Sequence, residues 1–320
     1  MQTVTLSPRP FQGLADLNRI LQVVGEWNAT TDFCGYAHPG DIRHFVTNTT
    51  RSRDAARHLF VHEGDDGEIL AVIELYPPRF RGFNLLVHPA HRGTDLEAGL
   101  IAWAEAQIIA LMTAEGIDLT SVGSDVMDCD PVRAELLLNQ GYQPDAQPFF
   151  SGTTRSLLDP IPDSVLPDGF TIRNVAGEHE AEALGVVHSS AFNSNWKPGE
   201  YLTVMQAPGF QIDHELIVVS SYGDYAAFLI YWVDPVSRSG LFEPVGCHQD
   251  FQRRGLTKAL MYEGMRRMKA EGAVTAIVNH EYENASAIAL YASVGFTRKY
   301  TITDYRKTLK PETTADETKD

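Results

Sequence analysis

Cysteine is scarce in this chain, and so is positive charge. Only Cys34, Cys129 and Cys247 occur among 320 residues. They lie far apart and form no CxxC pair, which suggests a reducing compartment. Eleven histidines show no HExxH or other ligand spacing, so no metal is expected. Lys and Arg number 26 against 42 Asp and Glu, for a net charge of −16. A nucleic-acid binder needs a basic face to neutralise phosphates, so nucleic acid is not an expected partner. No apolar run approaches the roughly 18 residues of a membrane span, so no membrane partner is expected either. The N-terminus MQTVTLSPRPF lacks the basic and apolar regions of a signal peptide. A cytoplasmic location is the resulting expectation. The tail, residues 311–320, is polar and acidic and reads as disordered. The acidic balance either suits a cationic amine substrate or only keeps the protein soluble.

What is present is ample core material. Hydrophobic residues make up 43% of the chain, enough for one large or two ordinary domains. Pro160, Pro162 and Pro167 lie close together and cannot continue a helix or a central strand. The spacing predicts a domain over residues 1–157, an extended linker over 158–169, a second domain over 170–310 and the tail. In the second domain, residues 170–174, 215–220, 225–233, 241–247 and 273–278 read as strands. Residues 178–192, 255–271 and 284–293 read as helices, a short helix starts near Pro198, and one or two strands close the chain over 296–309. Leu256, Leu260, Met261, Met265 and Met268 recur at helical spacing. Antiparallel strands followed by strand–helix–strand–helix–strand define an α/β class, a mixed, mostly antiparallel sheet flanked by helices.

Two segments carry chemistry. Gln252-Arg253-Arg254-Gly255-Leu256-Thr257-Lys258 lies between a strand and a helix. Free backbone N–H groups at such a turn, with the positive end of the helix dipole, form an anion site. Gly255 has no Cβ, so the backbone can approach a phosphate. The second segment runs from Asn284 to Phe296. Asn284 can cap a helix, Ala287 and Tyr291 share a face, and Gly295 suits the residue after a helix end. In their order and spacing the two segments resemble the GNAT superfamily of acyl-CoA N-acyltransferases. They match its pyrophosphate turn and its Asn-x-x-Ala-x-x-x-Tyr-x-x-x-Gly-Phe pattern, over about residues 170–309. Thr257 departs from the family's usual Gly or Ala.

The resemblance implies acetyl transfer from acetyl-CoA to a primary amine. An amine, an aminoglycoside-like sugar and a protein N-terminus are all open as acceptor, with a small-molecule amine preferred. Gln252 to Lys258 would hold the pyrophosphate, with Arg253 and Arg254 adding charge. Asn284 would combine capping with a cofactor contact. The family splays two strands to admit the pantetheine arm, which would pair with the backbone of Val245 and Cys247. Cys247 itself reads as a packing residue. Glu243, between Phe242 and Pro244 in an apolar strand, is the candidate base, because desolvation would raise its pKa. A salt-bridged or solvent-facing Glu is the other reading. Pro244 marks an edge or a bulge. Tyr291 is the candidate acid for the leaving thiolate, or else a core tyrosine. Trp196, in a polar loop, would stack on substrate or anchor the loop. A non-catalytic acyl-CoA sensor or scaffold is the alternative function, and an aminoacyl-tRNA-dependent transferase a remoter one.

The first domain repeats the plan in degenerate form. Residues 59–61, 69–76 and 83–87 read as the same strands. Asp130 to Tyr142 matches Asn284 to Phe296 position for position. His88 aligns with His248 and Leu100 with Leu260, at one constant offset. That offset puts Asp95 at Gly255, Glu97 at Thr257 and Phe83 at Glu243, and the second segment puts Leu137 at Tyr291. Two carboxylates would face the pyrophosphate and repel it. A sheared pairing of Arg92-Gly93 with Arg254-Gly255 would restore the turn but not the tyrosine. The expectation is two tandem GNAT-like domains, the first non-catalytic.

Overall fold

The computed structural model describes residues 6–51, 53–76 and 82–309. The tail lies outside these residues. The N-terminal half contains β1 (Arg9–Pro10), α1 (Leu14–Thr31), α2 (Pro39–Thr50), β2 (Leu59–Glu63), β3 (Ile69–Leu75), β4 (Gly82–Val87), α3 (Asp95–Ala114), β5 (Ser121–Met127), α4 (Pro131–Asn139), β6 (Gln143–Pro144) and β7 (Phe150–Ser156). The C-terminal half contains β8 (Phe170–Asn174), α5 (Ala181–Phe192), α6 (Glu200–Met205), β9 (Glu215–Ser220), β10 (Tyr225–Asp234), β11 (Ser239–Cys247), α7 (Leu256–Ala270), β12 (Thr275–Glu281), α8 (Ala285–Ser293) and β13 (Thr297–Thr308). The closing segment is thus one long strand.

One sheet of 13 strands carries both halves, in the order β1-β2-β3-β4-β5-β13-β7-β12-β11-β10-β9-β8, with β6 beside β13. Only β4–β5 and β11–β12 are parallel among the described pairs. The closing strands are exchanged. β7 pairs with β12 from Thr275↔Ser156 to Glu281↔Phe150, and β13 pairs with β5 from Ile302↔Met127 to Thr308↔Ser121. Each half therefore ends inside the other half's ladder. The linker is irregular but pinned to α7, where Arg266 donates to the Pro162 carbonyl at 2.7 Å.

On one face α7 and α8 cover the C-terminal strands. Leu256, Leu260, Met261, Met265 and Met268 are all buried there, each contributing about 1.5–3 kcal/mol. In the N-terminal half α3 does the same through Leu100, Ala104 and Ile108. At 20 residues and a mean hydropathy of 1.3, α3 has the length and composition to cross a membrane, which corrects the expectation that no segment does. Here it packs on β3, β4 and β5, with Asp95 and Glu97 in its first turn.

The cysteines also need correction. Cys34 and Cys129 form a disulfide, with Cα atoms 6.0 Å apart, and only Cys247 is free. They are 95 residues apart in sequence, and the fold brings the turn after α1 beside the end of β5. The argument for a reducing compartment from unpaired cysteines therefore does not hold.

Candidate active site

β11 and β12 run together only from Ser239↔Thr275 to Leu241↔Ile277. Beyond Leu241 they diverge, and the edge of Phe242 to Cys247 facing β12 has no strand partner among the described residues. Val245 and Cys247 both lie on this stretch, paired on the other side with Leu229 and Ala227 of β10. Such an edge accepts an extended ligand as an added strand.

The turn between β11 and α7 closes one end of the gap. A 3-10 turn, Gln249–Phe251, leads through Gln252, Arg253 and Arg254 to Gly255 at the N-cap of α7. Arg253 (φ 63°) and Gly255 (φ 79°) are left-handed, a backbone alternation of the kind that forms anion-binding turns. No side chain caps α7, and nothing lies within 4 Å of where a Gly255 Cβ would sit. The first-turn amides, from Leu256 through Thr257 to Lys258, have no intrahelical acceptors. Arg254 lies over Phe251 and donates to the Asp250 carbonyl at 3.0 Å, which holds its charge beside the turn. Cys247 is half-buried, and burial pushes its thiol pKa up, which suits packing rather than nucleophilic attack. Asn284 caps α8 by accepting from the Ala287 N–H at 3.0 Å.

Glu243 stands in the middle of the gap. Glu243 and Pro244 together oppose Ile230, a bulge in β11, and their peptide is cis. Trp232 Nε1 donates to the Glu243 carbonyl at 2.7 Å and fixes the bulge. The side chain keeps 30% of its exposure, so the carboxylate sits in a cleft open on one side. Burial, then the negative charge of Asp41, push its pKa to about 8. Tyr291 is buried on α8 beside His280 and Phe296, and burial followed by the charge of Glu243 push its hydroxyl pKa up. Trp196 has one face under the Arg51 guanidinium, 3.9 Å from the ring centre. It also lines a surface cavity of about 250 Å³ with Gly185, Ser189 and Tyr201.

Two groups escaped the sequence because they come from the N-terminal half. Helix α2 covers the cleft and brings Asp41 and His44. Asp41 closes a capping box by accepting from the His38 N–H at 2.9 Å, and burial lifts its pKa to about 7. His44 Nε2 lies 3.7 Å from Glu243 Oε1, and burial holds its pKa down to about 4. Neither Asp41 nor His44 belongs to a sequence motif, and their place over a distant strand comes from the fold.

The equivalent turn in the N-terminal half is filled from inside. His88 and His248 each lead a 3-10 turn by accepting from the amide two residues on. The 3-10 turns Pro89–His91 and Gln249–Phe251 keep the one offset that sets Asp95 against Gly255, while Gly93 (φ 73°) is left-handed like both Arg253 (φ 63°) and Gly255 (φ 79°). The carboxylates do not both face outward as expected. Asp95 is exposed, but Glu97 turns in and is wholly buried. It accepts from the Gly93 N–H at 2.6 Å, from Arg133 Nε at 2.8 Å and from Arg92 Nε at 3.1 Å. Arg92 continues to Asp130, which caps α4. An internal anion thus occupies the amide and arginine donors that an external one would use. Phe83 and Leu137, at the positions of Glu243 and Tyr291, are fully buried in the core.

The profile described as "Acetyltransferase (GNAT) family" matches residues 182–296, the stretch holding the gap, the turn and α8. Residues 182–296 thus carry a GNAT-type acetyltransferase domain, and the chain as a whole is similar to acetyltransferases of that type and, in fold, to a tandem GNAT protein. Among its relatives is a mycothiol acetyltransferase of Nocardioides, 28% identical over 233 residues, spanning 67% of this chain and 76% of that protein. Another, from Streptomyces bingchenggensis, is 28% identical over 271 residues, spanning 79% and 82%. In fold the chain is similar to a GCN5-related N-acetyltransferase from Sphaerobacter thermophilus, with a TM-score of 0.64 at 18% identity over 97% of this chain and 98% of that one. A tandem GNAT protein from the clavulanic acid pathway has a TM-score of 0.62 at 14% identity over 96% and 99%.

Proposed function

We propose that this enzyme moves an acetyl group from acetyl-CoA to a primary amine of a small molecule, in the cleft of the C-terminal half. The observation that carries the reading is the gap between β11 and β12, with open amides at one end and a recessed carboxylate at its centre. The turn fits a pyrophosphate: it has uncapped amides, free space at Gly255 and two neighbouring arginines. Gln252, Arg253, Arg254, Gly255, Leu256, Thr257 and Lys258 would hold the phosphates, Asn284 would add a contact, and the Val245–Cys247 edge would hold the pantetheine arm.

Glu243 acts as the base. Its ionised carboxylate takes a proton from the ammonium of the acceptor and leaves a nucleophilic amine. The backbone N–H near Cys247 polarises the thioester carbonyl as nitrogen attacks carbon. The C–S bond then breaks, the Tyr291 hydroxyl gives its proton to the departing sulfur, and the second proton shed by the nitrogen as the amide forms restores that hydroxyl. Asp41 and Glu243 supply negative charge where a cationic amine enters. The mycothiol acetyltransferase relatives support a small acceptor, and Trp196 borders its entrance. The N-terminal half binds no acyl-CoA, because Glu97 fills its turn, and it serves as a wall of the cleft. Acyl-CoA is a cytoplasmic metabolite, which favours that compartment, while the Cys34–Cys129 pair is the observation pulling the other way.

Release of free thiol from acetyl-CoA over a panel of small amines tests the reading. Amine-dependent release that disappears in Glu243→Gln is expected. Tight acetyl-CoA binding without release for any amine would favour a sensor or scaffold instead.

A further inference from the structure

Helix α2 belongs to the N-terminal half, yet it is anchored on the C-terminal cleft along its length. At its start His38 Nε2 meets Ser239 Oγ at 2.9 Å. Gly40 lies so close to Trp232 that a Cβ would come within 2.5 Å of the Trp232 Cβ. Just past its end Arg51 pairs with Glu200 at 2.8 Å and covers Trp196. Between these anchors His44 Nε2 faces Glu243 Oε1 at 3.7 Å. That is just beyond hydrogen-bond range, and a shift of under about 1 Å brings it within.

The surroundings limit what this imidazole can do. Burial keeps it neutral, so one ring nitrogen is a donor and the other an acceptor. Asp41 on the same helix pushes Glu243 towards its protonated form. Tyr291 from α8 feels the Glu243 charge. His188 from α5 is itself held neutral by burial and feels His44 and Arg51. β10 contributes the uncharged Trp232. His44 is therefore the neutral donor placed against the carboxylate, and a donor favours the ionised form.

We propose that His44 is a positioning residue, donating from Nε2 to the ionised Glu243 carboxylate and holding it turned into the gap, so that the N-terminal half completes the active site of the C-terminal half. The proposal deepens the amine-acetylation reading and takes the role of Glu243 from it.

Its test reads the carboxylate itself and needs no acceptor. Protein labelled with ¹³C at glutamate Cδ is titrated, and Glu243→Gln identifies the signal. The parent carboxylate is expected to titrate above the ordinary carboxylate range, since burial and the charge of Asp41 raise it. His44→Leu keeps the volume and removes the donor, so the midpoint should rise by about one pH unit. His44→Gln places an amide N–H near the Nε2 position and should titrate close to the parent. His44→Met gives the same reading where the Leu variant does not fold. A midpoint that stays or falls in the apolar variants overturns the proposal, since a purely steric role admits water and lowers it. A Gln variant displaced as far as Leu overturns it too. Failure of the amine panel would count against the functional reading alone and leave this titration standing.

Discussion

Removing the Glu97 carboxylate should unsettle the N-terminal half strongly. Glu97 is 0% exposed and its partner Arg133 only 3%. In Glu97→Leu, the Arg133 guanidinium keeps only the Leu85 carbonyl at 2.8 Å among the described residues, and the Gly93 N–H loses its acceptor. Breaking a buried ion pair from one side costs about 3–5 kcal/mol, because the other charge stays behind uncompensated. Each kcal/mol moves the melting midpoint by about 2–4 °C in domains of some 150–250 residues, so a fall of around 10 °C is expected. Urea unfolding at neutral pH, followed by tryptophan fluorescence, reads the free energy directly, provided the slope is unchanged. Replacing both charges, Glu97→Leu with Arg133→Met, should recover most of the loss, since apolar packing can stand in for a buried pair. A single variant within about 1 kcal/mol of the parent would refute the reasoning, as would a double variant no better than the single.

Further outcomes concern the C-terminal cleft. Gly255→Asp adds a carboxylate and a side chain at a left-handed N-cap. It should weaken acetyl-CoA binding at least about a hundredfold by titration calorimetry; unchanged affinity would remove the phosphates from this turn. Tyr291→Phe should lower kcat by about tenfold to a hundredfold with acetyl-CoA affinity intact, and full turnover would end its role as acid. The pH profile has a fixed sign. Glu243 must be ionised to accept a proton and its pKa is raised to about 8, so kcat/KM should climb with pH and reach half its plateau near 8. A profile already flat by about pH 6 would mean that another group is the base.

Much of this could be read from the sequence because it is local. Turn and helix signals around Gly255 and Asn284 are backbone rules acting over a few residues, and α7 and α8 begin where those rules put them. The apolar spacing from Leu256 to Met268 needs only a helix and a face. Pro244 announced the break in β11, and burial of Glu243 followed from its neighbours Phe242 and Pro244. What escaped is non-local. No pattern in residues 150–156 or 297–308 says that two closing strands change places. Asp41 and His44 carry no motif, and they matter only because Gly40 lets α2 lie against Trp232. Glu97 was legible as a carboxylate in the wrong place for a phosphate. Its inward turn depended on Arg133, which lies on a different element. The Cys34–Cys129 pairing likewise needs the whole N-terminal fold.

The central claim is that one half of this tandem chain binds acyl-CoA and the other has filled its own site. Titration calorimetry of the protein with acetyl-CoA, read for stoichiometry, tests it most directly. The account predicts one site per chain, lost in Gly255→Asp. Two sites would contradict the assignment of Glu97 as an internal anion, and no binding would contradict the assignment of the α7 turn.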